Sequence, residues 1–329
     1  MTRTVFVLGA GFSRAVSSHM PLMKDLPTVL TLGDNLRLDL EALTSDHDSD
    51  IERYLSYLAV RQPFLTEAEN LRNRALFLDI STALASRLLD AQNRVLEEAI
   101  PDWLLDFVIH LHSTRSTVIT LNYDHLLEKA GGSTPWHSDS EQLQGSHFWS
   151  VPITNINLRE AAVLGSSPLK TFRVLKLHGS LGWVYSGSES FYGEAIYSLA
   201  LNPGWHPDSD PDPDSRAVDK VPLIVPPTTG KSDFFNNETV RAQWQLAAAA
   251  LRDASEVVVL GYSMPVSDFL VGGLLCQTNS AARRVFVDQS SEPAARLNRM
   301  TGHVWEHGAG FESDSPIPQY VASIGMTHP

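Results

Sequence analysis

Three hydrophobic runs in this chain each end in residues with chemistry to offer. After Val5-Phe6-Val7-Leu8 come Gly9, Ala10, Gly11, Phe12 and Ser13. After Val118-Ile119-Thr120-Leu121 come Asn122 and Asp124. After Val174-Leu175-Lys176-Leu177 comes His178, followed by Gly179 and Ser180. The glycines let backbone N–H groups approach a phosphate closely, and a helix opening there favours its negative charge. Asn122 supplies an amide, Asp124 a carboxylate, and His178 a base whose ordinary pKa of about 6.5 suits proton transfer near neutrality. In open α/β sheets, ligands bind beyond the carboxyl ends of the strands. If the three runs are neighbouring parallel strands, these residues converge on one crevice. That crevice is a nucleotide site equipped for chemistry on the nucleotide itself.

Taken singly, each motif has a plainer reading. Gly9-Ala10-Gly11 fits a tight strand–helix turn with no ligand, and Arg14 stands where the dinucleotide fingerprint has its third glycine. Asp124 suits a helix N-cap and Asn122 a turn. One histidine among twelve is more often structural than a base. What distinguishes His178 is its place at a strand end, with Gly179 beside it leaving room for a ligand.

The elements that must position these residues alternate along the chain. Strands are predicted over 3–8, 117–121, 172–177, 221–225, 256–260 and 284–287, where short apolar runs stop at glycine or polar residues. Helical pattern dominates from 22 to 113. It includes Ile51 to Leu58, with Asp48 or Asp50 as N-cap, and a long helix over 67–97 that lacks Pro and Gly. Another helix opens near Pro101 and ends near His112. Further helices are predicted from Asp124 to Ala130, stopped by Gly131-Gly132, then over 239–253 and 292–300. The β-α-β rhythm at both ends predicts an α/β fold: a Rossmann-like, doubly wound parallel sheet. One domain is expected over 1–329, with a helical insertion over 22–113. Residues 131–170 read as irregular, and 203–219 as an acidic, proline-rich surface loop in which His206 is solvated and binds no metal. Trp183 and Tyr185 alternate and should pack in a sheet, and Asp268 reads as a helix cap.

Bulk properties exclude several classes. With 329 residues, 43% of them hydrophobic, the chain can bury a sizeable core. The net charge of −13 and the lack of any Lys/Arg run disfavour direct nucleic-acid binding. Cys276 is the sole cysteine, so neither a disulfide framework within the chain nor a zinc site of paired cysteines can form. No apolar run reaches the ~18 residues of a membrane span. The N-terminus shows no signal-peptide pattern, so a cytoplasmic protein is expected.

In order along the chain, Gly-Ala-Gly-Phe-Ser at 9–13, Thr-Leu-Asn-Tyr-Asp at 120–124, Lys-Leu-His-Gly-Ser at 176–180 and Leu-Gly-Tyr-Ser at 260–263 resemble the silent-information-regulator (sirtuin-like) family. The likeness is to its bacterial branch that hydrolyses NAD in anti-phage defence. The resemblance implies that Gly9, Ala10, Gly11, Phe12 and Ser13 hold the diphosphate of NAD+. It places Asn122 near the nicotinamide ribose, Asp124 at the nicotinamide carboxamide, and His178 as the catalytic histidine. It assigns Gly261 and Ser263 to the phosphate and adenosine ribose, and Asp288 to the adenosine ribose. Departures from the protein-deacylating members concern the acyl-lysine side. Only Met20-Pro21-Leu22 echoes their Gly-Ile-Pro-Asp-Phe-Arg loop, Leu121 replaces a glutamine, and the four-cysteine zinc ribbon is impossible with Cys276 alone. The expected activity is NAD hydrolysis to nicotinamide and ADP-ribose without a metal. A non-catalytic NAD or ADP-ribose sensor and an NAD-dependent deacylase are the alternatives. An unregulated NAD hydrolase would be toxic, and no spare region long enough for a sensor domain is evident. Control is therefore expected from a homo-oligomer or from a separately encoded sensor, ATPase or Argonaute-type partner.

Overall fold

A computed structural model of the protein describes residues 3–22, 25, 51–134, 148–149, 153–155, 163–164, 171–186, 194–199, 220–225, 237–265 and 268–325. In chain order its strands are β1 (Thr4–Leu8), β2 (Thr117–Thr120), β3 (Ile153–Asn155), β4 (Val163–Leu164), β5 (Arg173–Lys176) and β6 (Gly179–Tyr185). They continue with β7 (Tyr197–Ser198), β8 (Val221–Ile224), β9 (Glu256–Leu260), β10 (Arg283–Val287) and β11 (Glu306–His307). The helices are α1 (Ala10–Val16), α2 (Ile51–Ala59), α3 (Glu67–Leu96), α4 (Asp102–Thr114) and α5 (Leu126–Ser133). They are followed by α6 (Glu238–Asp253), α7 (Phe269–Leu275), α8 (Glu292–Thr301) and α9 (Pro316–Gly325).

Six strands form one sheet in the order β11-β10-β9-β1-β2-β5, and every pairing is parallel. Both faces of such a sheet are covered, which is why these strands read as unbroken apolar runs. Phe6, Val118, Val174, Val258 and Val285 point to one layer, packed on α4 and α9. Val5, Val7, Ile119, Leu175, Val257 and Phe286 point to the other, packed on α6, α7 and α8. The predicted Rossmann-like, doubly wound sheet is therefore the observed one. From β1 the chain winds outward to β2 and β5, then returns to build β9, β10 and β11 on the opposite side of β1. The direction of winding thus reverses between β1 and β9, where such sheets open a crevice. Leu8 is level with Thr120 and Leu260, Thr120 with Lys176, and Leu260 with Val287. That register brings Gly9, Leu121, Leu177, Gly261 and Asp288 to one edge.

A second sheet, in the order β4-β3-β7-β6-β8, was not foreseen. Strand 221–225, read from sequence as part of the main alternation, instead pairs antiparallel with β6 as the edge strand β8. Pro222 fits there, because an edge strand tolerates a residue without an N–H. Trp183 and Tyr185 pack in this sheet, against Tyr54, Leu55 and Leu58 of α2 and Phe77, Ile80 and Leu84 of α3. The long helix α3 starts at a capping box, in which Thr66 Oγ1 accepts from Glu69 N–H and Glu69 accepts from Thr66 N–H. Its second half, with Ala91 and Val95, joins the main core instead. One helix therefore ties the two sheets together.

Two further details differ from expectation. Helix α5 does not stop at Gly131-Gly132 but runs through them. A Cβ on Gly131 would lie 2.7 Å from the Phe148 ring, so the glycine serves helix packing rather than termination. Helix α9 was not anticipated. Of the span 22–113, residues 23–24 and 26–50 lie outside the described residues, as do the acidic loop 203–219 with His206, and Asp48 and Asp50.

Candidate functional site

The three sequence motifs meet at the carboxyl edge of the main sheet, around a cleft of about 910 Å3. Gly9, Ala10, Gly11, Ser13, Asn122, Asp124, His178, Gly261, Ser263 and Asp288 all line it. Its size falls within the ~300–1,000 Å3 of small-molecule sites. Phe12 is the exception among the expected residues. Its ring is buried in the core, edge-on to Trp103 at 5.6 Å and tilted against Phe107, because helical periodicity turns this position inward. Arg14, read from sequence only as a missing glycine, also lines the cleft. Its guanidinium folds back to donate to Ser18 O at 2.7 Å and Met20 O at 3.0 Å.

Asn122, Ser13 and Asp124 form one network on the cleft floor. Asn122 Nδ2 donates to Gly9 O at 2.9 Å and to Ser13 Oγ at 2.8 Å. A carbonyl only accepts, so Gly9 fixes which end of the amide is nitrogen. Oδ1 is then the acceptor, and among the described residues nothing donates to it. Ser13 Oγ in turn donates to Asp124 Oδ2 at 2.6 Å, and Leu126 N–H donates to Asp124 Oδ1 at 3.1 Å. Asp124 thus takes up the first N–H of α5, although the N-cap position itself falls on His125, and it also holds Ser13 of α1.

The glycines do a job the sequence did not disclose. Gly11 N–H donates to Gly261 O at 2.8 Å, and Phe12 N–H to Gly9 O at 2.9 Å. A Cβ on Gly9 would stand 2.6 Å from Gly261 O, and one on Gly11 2.8 Å from Gly261 Cα. Gly261 itself has φ +62°, the left-handed region that disfavours side chains. The turns after β1 and β9 therefore lie back to back, and glycine is required for that contact before any ligand is considered. Gly179 is similar. A Cβ there would meet Leu223 O at 2.0 Å, so this glycine admits β8 rather than leaving room for a ligand.

His178 ends the Val174–Leu177 run and immediately precedes β6, so it stands at the joint of the two sheets. It is 3% exposed. The rings of Tyr123 and Trp244 flank it, each with its centroid 6.4 Å away. Both rings are held by backbone: Tyr123 O–H donates to Val225 O at 3.0 Å and Trp244 Nε1 to Leu177 O at 3.1 Å. The Asp268 carboxylate lies 3.7 Å from His178 Nε2. At the far end of the cleft, burial pushes the Asp288 carboxyl above its ordinary range, partly offset by the Ser290 and Gln289 N–H groups.

Beneath the floor lies a second set of buried polar groups. Lys176 Nζ donates to Asp124 O at 2.6 Å and pairs with Glu128 Oε1 at 3.1 Å. Gln92 Oε1 accepts from His125 N–H at 2.7 Å. The His125 ring bonds Ser180 Oγ through Nε2. These contacts brace the Asn122–Asp124 turn from below. Burial, then the Lys176 and Lys129 charges, hold the His125 pKa well below 6.5. Below pH 6.5 the unfolded chain takes up a proton here that the folded chain refuses, so stability falls with pH until the folded pKa is reached. His125→Gln is therefore expected to flatten the fall of melting temperature between pH 6.5 and pH ~5. Equal slopes in the two proteins would show that His125 carries none of it.

Among the described residues, no three His, Cys, Asp or Glu side chains are placed to hold a metal, and no helix is long and apolar enough to cross a membrane. No family model and no curated protein matches the chain. Solved structures do. A Sir2 homologue bound to NAD shares 14% identity, with 98% of this chain and 90% of that one covered at a TM-score of 0.46. A Sir2 complex with a p53 peptide and NAD+ shares 13% identity, with 98% and 91% covered at 0.43. A Sir2 enzyme studied for mechanism and regulation shares 12%, with 99% and 92% covered at 0.42. With TM-scores below 0.5, these likenesses leave the site to be judged on its own residues.

Proposed function

We propose that the protein is a sirtuin-like NAD glycohydrolase, converting NAD+ and water to nicotinamide, ADP-ribose and a proton. The observation that carries this reading is the meeting of Asn122 and His178 in one cleft at the ends of parallel strands, with Asn122 held nitrogen-inward by Gly9 O. The nicotinamide–ribose C–N bond breaks with its electron pair going to the pyridine nitrogen, leaving an oxocarbenium-like sugar. Asn122 Oδ1 accepts a hydrogen bond from the attacking water. His178 takes the proton as the water oxygen bonds to the anomeric carbon. Ser13 and Asp124 fix the amide that aligns the water, and the rings of Tyr123 and Trp244 keep the His178 side shielded from solvent. Gly9, Ala10, Gly11, Gly261 and Ser263 line the diphosphate path, and Asp288 meets the adenosine ribose.

Cation supply along that path is modest, since Arg14 is the only arginine or lysine lining the cleft among the described residues. The Gly9, Gly11, Phe12 and Gly261 N–H groups and the Ser13 hydroxyl already donate within the protein, so donors for the diphosphate come from Ala10 N–H, Ser263 and Arg14. The role is defence against phage through NAD depletion, held in check by self-association or by a separately encoded partner. Purified protein is expected to release nicotinamide from NAD+, with specific activity rising across a wide protein concentration range in step with sedimentation. A parallel reaction should leave an acetyl-lysine peptide unchanged. NAD binding without nicotinamide release at any concentration or with the native partner would favour a sensor. Peptide deacetylation would favour a deacylase.

A further inference from the structure

Asp268, read from sequence as a helix cap, does stand at the N-cap position of α7. Its carboxylate, however, makes no capping hydrogen bond. Its Oδ2 instead accepts from Tyr262 O–H at 2.8 Å, and its Oδ1 faces His178 Nε2 at 3.7 Å. The carboxylate side chain is 2% exposed and the imidazole 4%. A buried carboxylate is strongly disfavoured unless donors compensate it. The Tyr262 hydroxyl is one such donor, and the imidazole is placed to be the second. At 3.7 Å the pair is beyond hydrogen-bond reach but within ion-pair range, a spacing that catalytic pairs often show before substrate arrives.

We propose that Asp268, anchored by Tyr262, is the positioning residue for His178. This rests on the reading of His178 as general base. A carboxylate only accepts, so it selects the His178 tautomer with the proton on Nε2 and the lone pair on Nδ1. It also stabilises the imidazolium that forms when the water proton is taken. The other groups around His178 compete weakly. Tyr123 and Trp244 present rings, and the Tyr262 hydroxyl donates to Asp268. Lys176, two residues earlier, is tied to Glu128 and Asp124 O. Among the described residues, Asp268 is the carboxylate that answers the imidazole.

The test compares wild type, Asp268→Asn, Asp268→Glu and Tyr262→Phe. Asp268→Asn keeps an acceptor for Tyr262 but offers the imidazole an amide donor. Nicotinamide release should fall about a hundredfold or more in this variant. The NAD dissociation constant and melting temperature should stay near wild type. The acidic limb of the pH–rate profile should move to lower pH, because the imidazolium has lost its counter-charge. Asp268→Glu should recover part of the rate, and Tyr262→Phe should lose less than Asp268→Asn. Titration of the His178 ring followed by NMR in wild type and Asp268→Asn gives a readout independent of turnover, with the variant expected to titrate at lower pH. If wild type releases nicotinamide and Asp268→Asn matches it in rate and pH profile, the proposal is overturned while the hydrolase reading stands. If wild type releases none, the hydrolase reading fails, and the NMR comparison decides the Asp268–His178 link alone: an unchanged His178 titration overturns it.

Discussion

His178→Ala and Asn122→Ala should each lower nicotinamide release by about a hundredfold or more, the usual scale for losing a positioned base or its partner. Each should remain folded, at a cost of about 1–3 kcal/mol. His178 borders aromatic rings held by their own backbone bonds, so truncation leaves those bonds intact. Asn122→Ala deletes two hydrogen bonds, to Gly9 O and Ser13 Oγ, at about 1 kcal/mol each. The two losses should also differ in kind. Asn122→Ala loosens the glycine turn and should weaken NAD binding as well as turnover. His178→Ala should bind NAD as well as wild type does. Calorimetry beside a nicotinamide assay checks both, and near-normal release by either variant would remove that residue from the mechanism.

The largest stability effect is expected at Lys176. Its ammonium is buried with Glu128 and also supplies the donor for Asp124 O. Lys176→Met strands a buried carboxylate and a buried carbonyl, at a cost of about 3–5 kcal/mol. That is a large share of the roughly 5–15 kcal/mol that holds a typical domain folded. Lys176→Met combined with Glu128→Leu should regain most of it, since an apolar pair can replace a buried ion pair without loss. The carbonyl of Asp124 still lacks its donor in the double variant, so the Asn122–Asp124 turn should stay loose. A folded double variant with depressed turnover would separate the support of the turn from the stability of the core. Denaturant unfolding measures the first effect. A single variant within ~1 kcal/mol of wild type would contradict it.

Much of this arrangement was legible in the sequence because buried parallel strands leave a strong trace. Val5–Leu8, Val118–Thr120 and Val174–Lys176 are apolar runs cut short by glycine or polar residues, and parallel register aligns those ends without further information. The length of α3 was equally plain from a run without Pro or Gly, while the capping box at its start was a signal the sequence held and the reading did not use. What could not be read depends on contacts between distant segments. Nothing near Asp268 announces His178, and a lone Asp before a helix fits a cap just as well. Gly9 and Gly11 were legible as glycines needing close approach, but not as neighbours of Gly261. Phe12 lies inside the motif, yet the turn of α1 sends its ring to the core. The small sheet was hidden because β3, β4 and β7 are two or three residues long, too short to display a period. Helix α9 opens on Pro316 and carries Pro318 in its first turn, where a missing N–H costs no helical hydrogen bond, so its start lacks an ordinary helix signal.

The most direct measurement is the product balance when purified wild-type protein, alone and at concentrations that drive any self-association, is given NAD+. Equal molar amounts of nicotinamide and ADP-ribose, formed at the rate NAD+ disappears and nearly abolished by His178→Ala, are the predicted result. NAD+ recovered intact from a protein shown to bind it, or equal breakdown by His178→Ala, would contradict the assignment of this cleft as a hydrolytic site.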